Sequence, residues 1–162
     1  MSGLFPKLAA GKSAAKGLRL ALVVSRFNAL YTARLAVQCR KRLSDLGLPK
    51  DGLTMKEVPG AFELPLAAKV LAESGRYDAV ICLGAVLRGD TSHYDLVCAE
   101  AARGIQQAGL MTGLPVIFGV ITCDTAAQAL ERCSGGPKDA GRHAAEAAVW
   151  MAGLLREIQD GK

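Results

Sequence analysis

The sequence predicts a single α/β domain: a four-stranded parallel sheet with helices on both faces, packed as a three-layer sandwich. Three observations carry that prediction. Strand-length apolar runs alternate with helix-length segments four times, the pattern of parallel strands joined by crossover helices. The runs LRLALVVS, AVICLGAVL and PVIFGVIT are almost uninterrupted, as strands covered on both faces must be. An apolar fraction of 51% with only 5% aromatic residues, together with 18 glycines, suits close packing of helices on a sheet better than a disulfide-rich or disordered chain. At 162 residues the chain is long enough to bury roughly 70% of the surface its unfolded form exposes, and no second core is needed.

The elements follow in order. Residues 1–17, MSGLFPKLAAGKSAAKG, have no continuous apolar stretch and read as a flexible arm rather than a signal peptide, with the single domain over 18–162. Gly11-Lys12-Ser13 invites a phosphate-loop reading, which fails because Pro6 stands where the leading glycine belongs and no strand precedes it. Leu18 to Ser25 is the first strand, and Arg26-Phe27-Asn28 turns out of it. A helix runs from Ala29 to Leu46, its buried stripe expected at Leu30, Ala33, Val37, Leu43 and Leu46, with Gly47 and Pro49 as its stop. Leu53 to Val58 is a more polar strand that belongs near the sheet edge. Pro59-Gly60-Ala61-Phe62-Glu63 leads into a helix with Pro65 in its first turn and Gly75 at its end.

Ala79 to Leu87 is the central strand. A helix from Ser92 to about Ala108 comes next, where Ser92 and Asp95 have capping-box spacing. Pro115 to Thr122 is the fourth strand, and Asp124 or Thr125 caps a short helix ending near Cys133. The loop from Ser134 to Gly141 precedes a last helix, Arg142 to Ile158, with Ala144, Ala147, Ala148, Met151, Leu154, Leu155 and Ile158 apolar.

Composition narrows the function classes. The net charge of +5 would suit an anionic small molecule, nucleic acid or a membrane surface, but lysines and arginines are spread along the chain with no basic stripe interleaved with aromatics. Neither nucleic acid nor membrane is expected, and no apolar run approaches a membrane span. The five cysteines form no C-x-x-C pair and no zinc spacing; they read as small buried hydrophobes in a reducing cytoplasm, with no metal.

In a parallel sheet the ligand lies beyond the carboxyl ends of the strands. The four turns at that edge therefore carry the function: Arg26 to Asn28, Pro59 to Glu63, Arg88 to His93, and Thr122 to Asp124. Between Leu87 and the following helix stand a cation, a glycine, hydroxyls and one of only two histidines. A helix N-terminus there offers free N–H groups and the positive dipole end to a phosphate, with His93 as proton carrier beside it. Each residue also has a plain structural reading. Phe27 could staple the following helix or stack on a flat heterocycle; Glu63 could be a first-turn carboxylate or a polyol ligand. His93 alone could be structural, and Arg132 at a helix C-terminus could merely complement the dipole.

The blocks Pro59-Gly60-Ala61-Phe62-Glu63, Leu83-Gly84-Ala85-Val86-Leu87-Arg88-Gly89-Asp90-Thr91-Ser92-His93-Tyr94 and Gly113 to Val120 resemble the lumazine synthase family, in register from about Gly17 to Leu155. That resemblance implies a flavodoxin-like sandwich and a condensation in riboflavin biosynthesis that needs neither cofactor nor metal. In it, 5-amino-6-(D-ribitylamino)uracil and 3,4-dihydroxy-2-butanone 4-phosphate give 6,7-dimethyl-8-ribityllumazine. It further implies that Phe27 stacks on the pyrimidine, and that Ala61, Phe62 and Glu63 hold the ribityl chain and ring edge. Ala85, Val86 and Leu87 would contact the ring, and Phe118 would close the pocket from a neighbouring subunit. Asp90 and Thr91 would bind the phosphate with the neighbour's Arg132 as counter-ion, and His93 would move protons.

The resemblance also implies a cytoplasmic homopentamer with active sites between subunits, and riboflavin synthase as a further partner. The chain departs from the family pattern after Arg132. There it runs about three residues longer, with Arg142 and His143 where Asn and Lys usually stand. Extra length in this connection goes with isolated pentamers rather than an icosahedral shell. The alternative functional reading is a flavin- or lumazine-binding or shell-forming scaffold with weakened activity.

Overall fold

A computed structural model describes residues 13–161. Among the described residues there are nine regular elements and two short 3-10 turns: β1 (Leu20–Ser25), α1 (Ala29–Asp45), β2 (Leu53–Val58), α2 (Leu64–Glu73), β3 (Ala79–Leu87), α3 (His93–Thr112), β4 (Val116–Cys123), α4 (Ala126–Glu131) and α5 (Ala140–Gln159). The strands form one sheet in the order β2-β1-β3-β4, and every pairing is parallel. The expected edge position of the polar strand β2 holds. Burial explains the sequence pattern: all of β1 and the first seven residues of β3 are buried, whereas the edge strand β2 is half-exposed.

Strand alternation splits the core in two, because successive side chains face opposite sides of the sheet. Leu20, Leu22 and Val24 with Ile81 and Leu83 pack under α1, α4 and α5. Ala21, Val23, Val80 and Cys82 pack under α2 and α3. The result is the predicted flavodoxin-like three-layer sandwich. Of the expected 1–17 arm, the first twelve residues lie outside those described. Ser13 to Gly17 form a turn in which Ala15 is fully buried and its N–H donates to the carbonyl of Leu46 at 2.9 Å.

Four sequence readings are corrected. The buried stripe of α1 is Tyr31, Thr32, Leu35, Ala36, Cys39 and Leu43, so Leu30, Ala33 and Val37 face outward; Leu30 and Val37 are each 58% exposed. In α5 the stripe is Gly141, Ala144, Ala145, Ala148, Val149 and Ala152, leaving Met151, Leu154 and Ile158 exposed. Both helices had a second apolar face of nearly the same spacing, and periodicity alone does not say which one meets the sheet. α3 continues past Ala108 and stops at Gly113, which takes a left-handed φ of 66°. α5 starts at Ala140, two residues early, because the Asp139 carboxylate accepts the N–H of Arg142 at 2.9 Å. Of the two caps offered for α4, Thr125 is the one used, in a capping box with Gln128.

Candidate active site

The strand order places a topological switch between β1 and β3: α1 leaves β1 toward β2, and α3 leaves β3 toward β4 on the opposite face. Such a split opens a crevice at the carboxyl edge. A cleft of about 610 Å³ lies there, lined by the turn after β1, the 3-10 turn after β2, the end of β3 and the first turn of α3. Phe27, Ala61, Phe62, Glu63, Ala85, Val86, Leu87, Thr91 and His93 all line it. Residues separated by up to 66 positions thus meet at one edge because three strands run in the same direction.

Local structure aims each side chain. The N–H of Phe27 donates to the carbonyl of Pro59 at 2.9 Å, so the ladder between β1 and β2 carries on past the strands and fixes the ring above the sheet. Phe27 is 72% exposed, so the ring is not buried against α1 as a staple would be. It is an aromatic platform at the cleft. Glu63 is held from the other side, its Oε2 accepting the N–H of Gly60 at 2.9 Å.

The segment between β3 and α3 has the backbone arrangement that suits an anion. Among the described residues, the backbone N–H groups of Gly89, Asp90, Thr91 and Ser92 donate to no other part of the chain. They gather at the positive end of a 20-residue helix, as a phosphate site requires. The expected capping box does not form. Ser92 makes no side-chain cap, the Thr91 hydroxyl accepts the N–H of His93 at 3.4 Å, and Asp95 turns to Arg88 instead. The competing ion pair wins because a charged partner holds a carboxylate more strongly than a neutral amide does.

Three residues expected in the site stand apart from this cleft: Asp90, Phe118 and Arg132 are not in its wall. Phe118 lies mid-way along the edge strand β4, paired with Cys82, and is half-exposed. Arg132 ends α4 and faces solvent. Conversely, Tyr94, Leu96 and Val97 line the cleft without having been singled out, and Asn28, Gly60 and Gly89, named only as parts of the turns at that edge, line it too. Val97 had a readable signal, since it follows His93 at position i+4 of the same helix. The Tyr94 hydroxyl is pushed up from its ordinary range by burial, while its hydrogen bond to Thr122 pulls the other way. Among the described residues, no three His, Cys, Asp or Glu side chains gather as metal ligands would, and no helix is long and apolar enough to cross a membrane.

The family model for 6,7-dimethyl-8-ribityllumazine synthase matches residues 17–156. This chain belongs to the 6,7-dimethyl-8-ribityllumazine synthase family. A relative from Desulfosudis oleivorans, named 6,7-dimethyl-8-ribityllumazine synthase, is 46% identical over 153 residues, covering 94% of this chain and 98% of that protein. The matched span takes in all nine elements except the last residues of α5, and with them every residue of the cleft. The lumazine synthase resemblance read from the PGAFE and RGDTSHY blocks therefore holds along the domain.

Proposed function

We infer that this chain condenses 5-amino-6-(D-ribitylamino)uracil with 3,4-dihydroxy-2-butanone 4-phosphate to 6,7-dimethyl-8-ribityllumazine, releasing phosphate and water, the penultimate step of riboflavin biosynthesis. The observation that carries this reading is one cleft lined by an aromatic ring, a helix N-terminus with unspent N–H groups, and the histidine that begins that helix. An aromatic amine, a ketone and a phosphate have matching places there. Every step is an addition, an elimination or a proton transfer, and none calls for a redox group or a metal.

In this reading the pyrimidine stacks on Phe27, Ala61 to Glu63 receive the ribityl chain, and Ala85 to Leu87 border the ring. The phosphate sits on the amides of Gly89 to Thr91, Asp90 contributing its N–H and Thr91 its N–H and hydroxyl, because the Asp90 carboxylate itself would repel the anion. His93, first residue of α3, then stands between phosphate and ring, where it can relay the proton from the attacking amine to the departing oxygen. Holding amine and ketone in register supplies much of the acceleration.

Phe118 and Arg132 lie off their own chain's cleft, which favours a site closed by a neighbouring copy. Phe118 of that copy would cover the ring and its Arg132 would face the phosphate. The assembly is proposed as a homopentamer in the cytoplasm, with riboflavin synthase as the enzyme that takes the product. The test is lumazine formation, followed by its fluorescence, from the two substrates and purified protein, with light scattering on the same sample. Product above the uncatalysed rate from a particle of about 85 kDa, five times the chain mass of 16.9 kDa, is expected. Absence of product would sink the enzymatic reading, and a megadalton particle would sink the isolated pentamer.

A further inference from the structure

We propose that Arg88 is a positioning residue of this site: its guanidinium, gripped by Asp124, Asp95 and the Tyr94 ring, sets the loop Gly89–Ser92 to receive the substrate phosphate and the first turn of α3 to present His93. The inference rests on the function proposed above and goes beyond it, since Arg88 touches no substrate there. Its backbone N–H donates to the carbonyl of Cys123 at 2.9 Å, the last rung joining β3 to β4. Beyond that rung the four amides of the loop make no hydrogen bond to the described chain, so the loop's path depends on its two ends.

The Arg88 side chain joins those ends. Its Nε donates to Asp124 Oδ1 at 2.7 Å, and its Nη1 donates to Asp95 Oδ1 at 3.2 Å. Its Cζ lies 4.1 Å from the centre of the Tyr94 ring. Asp124 is itself held, its N–H donating to Gln128 Oε1 at 2.8 Å in the capping box of α4. One planar cation therefore fastens the start of α3 to the turn after β4, using two of its edges and one face together. Lysine, a point charge without a face, cannot reproduce that.

The same geometry removes Arg88 as a direct phosphate ligand. Leu87 and Gly89 on either side line the cleft, but Arg88 does not. Asp124 and Asp95 already hold its Nε and Nη1, so two carboxylates balance the charge that a phosphate would otherwise meet. Arg88 thus acts through the backbone on either side of it, and the phosphate is left to the loop amides.

The test compares wild-type protein with Arg88→Lys, Arg88→Ala and Asp124→Asn in steady-state assays with each substrate varied in turn. The KM for the butanone phosphate is expected to rise about tenfold in Arg88→Lys and further in Arg88→Ala, with the KM for the ribitylaminouracil changed less than about twofold. Arg88→Lys with Asp124→Asn is expected to be no worse than the poorer single variant, because both break one contact. Equal shifts in the two KM values, or additive effects in the double variant, would overturn the proposal in favour of a general loss of structure. Titration with inorganic phosphate alone answers the question without turnover. Weaker binding in both Arg88 variants at unchanged melting temperature supports the proposal, and wild-type affinity overturns it. Failure of wild-type turnover would strike the proposed reaction, whereas this phosphate measurement strikes only Arg88.

Discussion

Asn28 Nδ2 donates to the carbonyl oxygen of Ala85 at 2.9 Å, a bond that closes 57 residues of chain and spans the split between β1 and β3. Asn28 also holds φ 60° and ψ 44°, the only left-handed residue other than glycine among those described. The two facts belong together. The left-handed turn swings the chain from β1 into α1, and the side-chain amide ties that turn to the strand across the crevice, so that Phe27 is held over the cleft. Asparagine is the residue that tolerates this conformation and can make the bond.

Asn28→Ala should therefore lose both the bond and the left-handed tolerance, about 2 kcal/mol together, while Asn28→Gly should lose only the bond, about 1 kcal/mol. Thermal unfolding ranks them. Both should raise the KM for the ribitylaminouracil, since the platform is released. Equal stability of the two variants would mean that the turn does not need the left-handed conformation.

His93 and Arg132 should separate in kinetics. His93→Ala is expected to slow turnover by about 10²- to 10⁴-fold without abolishing it, because approximation of the substrates remains. Arg132→Ala should act chiefly on the KM for the butanone phosphate. Mixing the two variants is the sharper measurement: if Arg132 serves a neighbouring copy's cleft, hetero-oligomers regain sites with both residues intact. Activity that stays at the level of the separate variants after subunit exchange would place both residues in one chain's site.

Much of this was legible in the sequence, for identifiable reasons. Buried parallel strands announce themselves as apolar runs, and the strand ends then locate the ligand edge. Phe27, Glu63 and His93 could be named because they stand at those ends. Three other features were not legible. The two apolar faces of α1 and of α5 could not be ranked, because the choice is made by the sheet below and not by the helix. The grip of Asp124 and Asp95 on Arg88 joins residues 36 and 7 positions away and leaves no periodic trace. Glycines also misled. The helix bounds set near Ala108 and after Gly141 left Gly109 and Gly141 outside helices, yet both lie inside them: a Cβ at Gly109 would come within 3.3 Å of the Leu114 carbonyl oxygen, so the glycine marks close packing rather than a stop.

Gly141 yields a strong prediction from that distinction. A Cβ there would overlap the carbonyl oxygen of Leu35 and lie 3.0 Å from its carbonyl carbon, backbone atoms that cannot move without shifting α1. Gly141→Ala would raise helix propensity in α5, yet should destabilise the protein by about 2 to 3 kcal/mol through overpacking. Gly153, also in α5, meets nothing within 4 Å and serves as the control: Gly153→Ala should be neutral or stabilising. Chemical denaturation of the pair decides it, and an equal gain in both would mean that α5 can slide away from α1.

The buried thiols predict how stability responds to alkaline pH. Burial pushes Cys39 up to about 12, with the Asp139 charge adding to the effect, and burial alone pushes Cys82 up to about 12. Both values lie above the 9.0 of an unperturbed thiol. Below pH 9 both states hold the proton and nothing is lost. Between 9 and 12 the unfolded chain releases protons that the folded chain keeps, so each thiol lowers stability with rising pH, by at most about 1.4 kcal/mol per pH unit. Lysines and tyrosines titrate in the same range, so the informative quantity is a difference. Cys82→Ala removes one such thiol and should flatten the fall of stability between pH 8 and 10.5, whatever constant cost its lost packing adds. Identical slopes in wild type and variant would mean that the Cys82 thiolate is tolerated inside the sheet or reached by water.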